Sequence, residues 1–225
     1  MMLQQKSKRI ISYIFLFFLI GTLNNKNFAQ SDYLKIKNIY VSGLSKEKNE
    51  EVLKKLEIFR IQNLFFLEKF QIEKLIDSLN YIENYSVFKD YPSSLKIKLI
   101  ETNYLAYVSK DDKNFYIGSN SKLIKVEDLE KKLPYVFGNL DIDRFFELKN
   151  IIDKLNISLD NFEKLFFFPS GRWDLQMNSG ILIKLSKDRL EESLKISKDI
   201  LNNEKFKDIK IIDVRQHNQV IVNEQ

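Results

Sequence analysis

The sequence predicts an α+β protein with three parts. These are an apolar amino-terminal helix, a strand–helix–helix–strand–strand module, and a larger mixed β-rich module with flanking helices. Three patterns carry that expectation. Residues 10–23 form an uncharged apolar run behind a basic flank. Residues 33–102 set two amphipathic stretches between alternating strands. Residues 103–225 intersperse short strand patterns with two longer helical ones.

The amino-terminal part reads "KSKR" and then "IISYIFLFFLIGTL". A cationic flank ahead of an apolar run keeps the amino end in the cytoplasm and sends the rest across the membrane. Fourteen helical residues reach about 21 Å, against roughly 30 Å of hydrocarbon, a length that suits the core of a cleavable signal peptide. Ala29 is one small residue for a cleavage site, but Asn27 is a poor second. An anchor would instead use Asn24 and Asn25 at the interface while Lys26 snorkels outward. The residues leave both readings open, and both put the body outside the cytoplasm.

In the next part, "YLKIKNIYVSGL" alternates as a half-buried strand does, and Gly43 ends it. Ser45 is placed to cap a helix carrying Val52, Leu53 and Leu56 on one face. A second amphipathic stretch offers Phe70, Ile72, Leu75, Ile76 and Leu79. A strand, a turn at Tyr91-Pro92-Ser93-Ser94, and a strand alternating Leu95, Ile97 and Leu99 complete the module. In the last part, strands are expected at "YLAYVS", "NFYIG", "KLIKV", "LPYVFG" and "NFEKLFFF", with a helix near "DIDRFFELKNIIDKL". "RWDLQM" and "ILIKL" then flank Asn178-Ser179-Gly180 as a hairpin, followed by helix-patterned "SKDRLEESLKISKDILNN" and the strand pattern "IIDVRQHNQVIV". Alternation puts Trp173, Leu175 and Met177 on the core face, with Arg172, Asp174 and Gln176 on a polar face.

Composition excludes several functions. There is no cysteine, so disulfides, thiolate metal sites and thiol catalysis are absent. The net charge of +5 is concentrated in Lys6, Lys8, Arg9 and Lys26. Beyond residue 30 the charges nearly cancel, which argues against nucleic acid as a partner. His217 is the single histidine and sits in polar "QHNQ" with no nucleophile or orienting acid beside it, so no catalytic residue is assigned. The "KDD" and "DID" pairs lack calcium-loop spacing, and "GSNS" lacks the ending of a phosphate loop. No metal, cofactor or small-molecule substrate is expected. What remains is a surface-offering protein. The strand pattern "NQVIVNEQ" is either a completed core strand or a sheet edge able to accept another chain's strand, through Val220, Ile221 and Val222.

The ordered set "IKNIYVSGLS", "NLFFL" and "DYPSSLKIKLIE" resembles a POTRA (polypeptide-transport-associated) domain of the kind found in the FtsQ/DivIB cell-division family. "FYIGSNSKLIK", "LPYVFG", "RWDLQMNSGILIKL" and "IIDVRQHNQVIV" resemble the β-domain of the same family, in the same order. The chain departs from the family pattern at Tyr104, where proline is usual, and at Gln216, where an aromatic is usual.

The resemblance implies a layout of a cytoplasmic tail at 1–9, an uncleaved transmembrane signal anchor at 10–29, a POTRA domain at 33–102 and an FtsQ-like β-domain at 103–225. It implies a non-catalytic, single-pass (type II) inner-membrane scaffold of the bacterial divisome, with its body periplasmic and at the septum. The expected partners are of FtsB and FtsL type, docking near Arg215, Gln216, Val220, Ile221 and Val222, with Arg172 as a further contact. A periplasmic POTRA module serving outer-membrane protein transport is the alternative. An enzyme working through converging carboxylates is a third reading.

Overall fold

The computed structural model describes residues 2–23, 35–126, 132–139, 141–206, 209–217 and 219–224. The cleavage candidate Ala29 and the expected domain start at residue 33 lie outside them.

Helix α1 spans Met2–Leu23. Its apolar residues from Ile10 to Ile20 are exposed. Among the described residues, no helix is long and apolar enough to cross a membrane. The described helix therefore does not by itself support the expected span at 10–29, whose residues 24–29 lie outside the described residues. The basic residues Lys6, Lys8 and Arg9 occupy the first turns of the helix, so only its second part is apolar.

The chain divides into two compact units, Met1–Glu101 and Thr102–Gln225. The first contains β1 (Asn38–Ser42), α2 (Lys46–Leu56), α3 (Lys69–Asp77), β2 (Ile82–Asp90) and β3 (Ser94–Glu101). Its sheet runs β1-β3-β2, with β1 parallel to β3 and β2 antiparallel to it. The period of two in β3 buries Leu95, Ile97 and Leu99 against Val52 and Leu56 of α2 and Ile72 and Ile76 of α3. Ser45 caps α2 by accepting from the Lys48 amide. Phe70 departs from the expected apolar face and is exposed. At 100° per residue it lies about 160° around the helix from Ile72. Gly43 takes φ +105°, and a Cβ there would sit 1.9 Å from the carbonyl oxygen of Leu99.

Among the described residues, the second unit is a nine-stranded sheet with two α-helices. Its elements are β4 (Tyr104–Lys110), β5 (Lys113–Gly118), β6 (Leu123–Val126), β7 (Tyr135–Phe137), α4 (Ile142–Lys154), β8 (Phe162–Phe167), β9 (Trp173–Met177), β10 (Leu182–Lys184), α5 (Leu190–Leu201), β11 (Ile209–Asp213) and β12 (Ile221–Glu224). The order across the sheet is β12-β11-β10-β9-β8-β7-β4-β5-β6. The short β7 runs parallel to both of its neighbours, β4 and β8.

Phe145, Leu148 and Ile152 of α4 and Leu194 of α5 form a core with Val136, Leu165, Leu175, Ile183 and Ile212 from successive strands. Trp173 belongs to that core, 4.7 Å from the Phe167 ring centroid, so its sequence assignment as a sheet-core residue holds. The β9–β10 hairpin forms as expected, with Gly180 at φ +90° in its turn.

Asp141 caps α4, its carboxylate accepting from the Asp143 amide at 3.0 Å. Asp141→Ala is expected to cost about 1 kcal/mol in chemical denaturation, through the orphaned amide and the lost anion at the positive end of the helix.

Candidate functional site

Strand β12 ends the nine-stranded order. It pairs antiparallel with β11 on one side, and no strand of the described residues lies on the other. A strand in that position presents alternate backbone N–H and C=O groups outward. Ile221 is 48% exposed and Val220, just ahead of the strand, is also exposed, while Val222 packs partly against the core.

Register turns this edge into one end of a side-chain row. Ile221 lies opposite Asp213, Asp213 opposite Lys184, Lys184 opposite Asp174, and Asp174 opposite Phe166. Each of these residues therefore points to the same face of the sheet. Arg215 lies two residues beyond Asp213, and Arg172 two residues before Asp174. Strands β9 and β11 run in opposite directions, because β10 is antiparallel to the first and parallel to the second. The two arginines therefore fall at the same end of the sheet.

Arg215 grips Asp213 as a fork, with Nε 2.8 and 3.0 Å from the two carboxylate oxygens and Nη2 2.5 Å from the second. Arg172 donates to Asp174 from Nε at 3.0 Å, and its guanidinium lies 4.3 Å from the centroid of the Phe168 ring. The arginine hydrogen bond holds the Asp213 carboxyl below the usual carboxylate range against the opposing effect of burial. For Asp174 the balance reverses. Burial pushes its carboxyl up, and the Arg172 hydrogen bond only partly restrains it. Arg215 also acts on Asp174 through space, which couples the two pairs.

Alternation places Arg172 and Asp174 on a polar face, and the structure buries the aspartate there instead of leaving it in solvent. Asp174 is 5% exposed, because β9 is an interior strand and the Arg172 side chain covers its carboxylate. Sequence reasoning passed over Asp213, Lys184 and the burial of Asp174. The available signal was the mirrored pattern "RWD" and "DVR", two Arg–Asp pairs at i, i+2 in strand-like stretches. Gln216 is exposed in the segment between β11 and β12, and so is His217. Asp174 and Asp213 share this face with the Lys184 strand between them, and each is engaged by its own arginine. This suits charge recognition better than proton transfer. Among the described residues no group of three or more His, Cys, Asp or Glu is placed to hold a metal.

Two family models match the chain: the POTRA domain of FtsQ type over residues 34–102, and the carboxyl-terminal region of cell division protein FtsQ/DivIB over residues 106–215. The chain belongs to the FtsQ/DivIB family. Cell division protein DivIB of Bacillus subtilis (strain 168) is 24% identical over 213 residues, covering 90% of this chain and 80% of that protein. Cell division protein FtsQ of Rickettsia bellii (strain RML369-C) is 26% identical over 192 residues, covering 84% and 72%. The solved major extracytoplasmic domain of the trans isomer of DivIB from Geobacillus stearothermophilus matches 42% of this chain and 86% of its own at 18% identity. Its TM-score is 0.32, too partial a superposition to bear on the fold.

In this FtsQ/DivIB chain the Arg215–Asp213 fork carries a pH signature. The folded Asp213 carboxyl titrates below its unfolded counterpart, so its contribution to stability is complete above the ordinary carboxylate range near pH 4. That contribution fades as pH falls through the lowered folded value. Asp213→Asn is therefore expected to be less stable than the parent near neutrality. The gap in urea midpoints should narrow as pH falls through the lowered folded value, where the parent carboxylate itself becomes protonated.

Proposed function

We propose that this chain is a non-catalytic scaffold of the bacterial divisome, which accepts a β-strand from an FtsB- or FtsL-like partner along the outer edge of β12. One observation carries the reading. The β12 edge has no strand beside it among the described residues, and Arg215 and Arg172 flank on one side the row of side chains that begins on it. Main-chain hydrogen bonds would supply affinity, and the arginine pair would select an acidic residue on the incoming segment. Membership in a family of cell division proteins supports a protein partner at the septum rather than a small-molecule substrate.

The exposed apolar residues from Ile10 to Ile20 favour membrane attachment, since such a surface is costly in water. The basic flank before them favours a cytoplasmic amino end, a periplasmic body and an inner-membrane location. The short apolar run would be accommodated by local thinning of the bilayer and by snorkelling of flanking residues. The experiment is capture of an FtsB-like peptide by the full chain and by proline variants in β12. Capture unchanged in every variant would exclude this edge as the docking site.

A further inference from the structure

The first unit has an exposed aromatic cluster that its core does not use. Phe65, Phe66 and Tyr91 are 46%, 48% and 55% exposed, with ring centroids 5.3 Å apart for Phe65–Phe66 and 6.3 Å for Phe65–Tyr91. Ile61, close by in sequence, is 82% exposed. Three aromatic rings gathered from two separate segments form a contiguous apolar surface. Scattered single exposures need no explanation, but such a patch does.

The position of the cluster suggests what covers it. The backbone leads into this unit through Lys35–Lys37, which threads between the same two segments that carry the rings. Lys35 bridges to Asn63, and the Ile36 amide donates to the Gln62 carbonyl at 3.2 Å. The Lys37 amide donates to the Ser93 carbonyl at 2.8 Å. Phe65 and Phe66 follow Asn63 by two and three residues, and Tyr91 precedes Ser93 by two. The aromatic cluster and the point of arrival from α1 thus share one end of the unit.

Eleven residues separate Leu23 at the end of α1 from Lys35. A chain of that length spans at most roughly 40 Å, so this end of the unit stays close to wherever α1 is held. Lys89 borders the cluster, and Lys35 and Lys37 belong to the segment that threads between its two arms. The Lys89 ammonium donates to the carbonyls of Leu67 at 2.6 Å and Phe65 at 3.4 Å. Aromatic rings beside lysines are the composition that settles at the headgroup level of an anionic bilayer.

The geometry points to Phe65, Phe66 and Tyr91 as an interfacial foot that rests the first unit on the membrane surface next to α1. This rests on the reading that α1 holds the chain at a membrane. The foot fixes which end of the unit faces the lipid, which an anchor alone does not do.

The absence of cysteine makes the test direct. The full chain carrying Phe66→Cys, Tyr91→Cys or Ile100→Cys is spin-labelled and placed in phosphatidylethanolamine–phosphatidylglycerol vesicles. Ile100 is 51% exposed on β3, six residues from Ser94 and hence about 20 Å along the strand, and serves as the control. Labels at 66 and 91 are expected to be several-fold less accessible than the label at 100 to a water-soluble relaxation agent. Equal accessibility at all three sites in chains that float with the vesicles overturns the foot and leaves the anchor standing. Failure to float overturns both. Shielding that disappears when the chains are diluted to one per vesicle assigns the patch to a second copy and also overturns the foot.

Discussion

Proline placed in turn at Ile221 and at Val222 is expected to abolish peptide capture at one of the two positions while the chain stays folded. Successive residues of an antiparallel strand send their amides to opposite sides, so one of this pair donates to β11 and the other outward. Proline at the outward position removes a donor that only an incoming strand would use, and its ring obstructs that strand's approach. The β11–β12 pairing should survive there, because edge strands tolerate proline on their solvent side. Loss of affinity of at least roughly a hundredfold is expected, about 3 kcal/mol, with a melting temperature close to that of the parent. The inward variant should lose both capture and stability. Titration calorimetry with an FtsB-like peptide, paired with thermal melts, reads both quantities. Parental affinity in both variants would remove β12 from the docking surface. Arg215→Ala is a weaker discriminator, since it also strips Asp213 of its fork and so disturbs the fold.

Gly138→Ala should be among the most destabilising single substitutions in the second unit. Gly138 follows β7 at φ +107°, and a Cβ there would lie 2.0 Å from the Phe167 carbonyl oxygen. No real Cβ tolerates that distance, and the obstacle is backbone rather than a side chain that can swing away. Left-handed strain alone costs on the order of 1–3 kcal/mol, and relief of the clash means separating the ends of β7 and β8. A total above about 3 kcal/mol is expected in urea denaturation. Gly43→Ala is the counterpart in the first unit, where the Cβ would lie 1.9 Å from the Leu99 carbonyl oxygen. Each unit has its own core, so hydrogen exchange should accelerate mainly within the unit that carries the substitution. Parent-like stability in either alanine variant would contradict the observed approach of those backbones.

These contrasts explain what the sequence could and could not disclose. Leu95, Ile97 and Leu99 announce their strand because a half-buried sheet imposes a period of two, and they are buried as that period requires. The Trp173 hairpin was legible for the same reason, with Gly180 marking its turn. Phe70 is apolar yet exposed, because its angle around the helix, not its hydrophobicity, decides the face it takes. Asp174 is more instructive. Alternation gives the face on which a residue lies but not whether that face is covered, and its burial follows from β9 being interior and Arg172 folding over it. The row Asp174–Lys184–Asp213–Ile221 was hidden because it draws on four strands whose register is set by pairing between segments distant in sequence. The amino-terminal apolar run was plain as composition. Its length was the feature that mattered, and the helix with three cations in its early turns falls short of a full span.

The brevity of β7 has a mechanical consequence. Only Tyr107–Tyr135 and Val108–Val136 pair across its junction with β4, whereas β8 and β9 share a much longer ladder. Tension pulling the two halves of the sheet apart would concentrate on that narrow seam. Under such a load the protein should part there, like cloth along a short stitch, while the ribbon from β7 to β12 travels as one piece with whatever it holds.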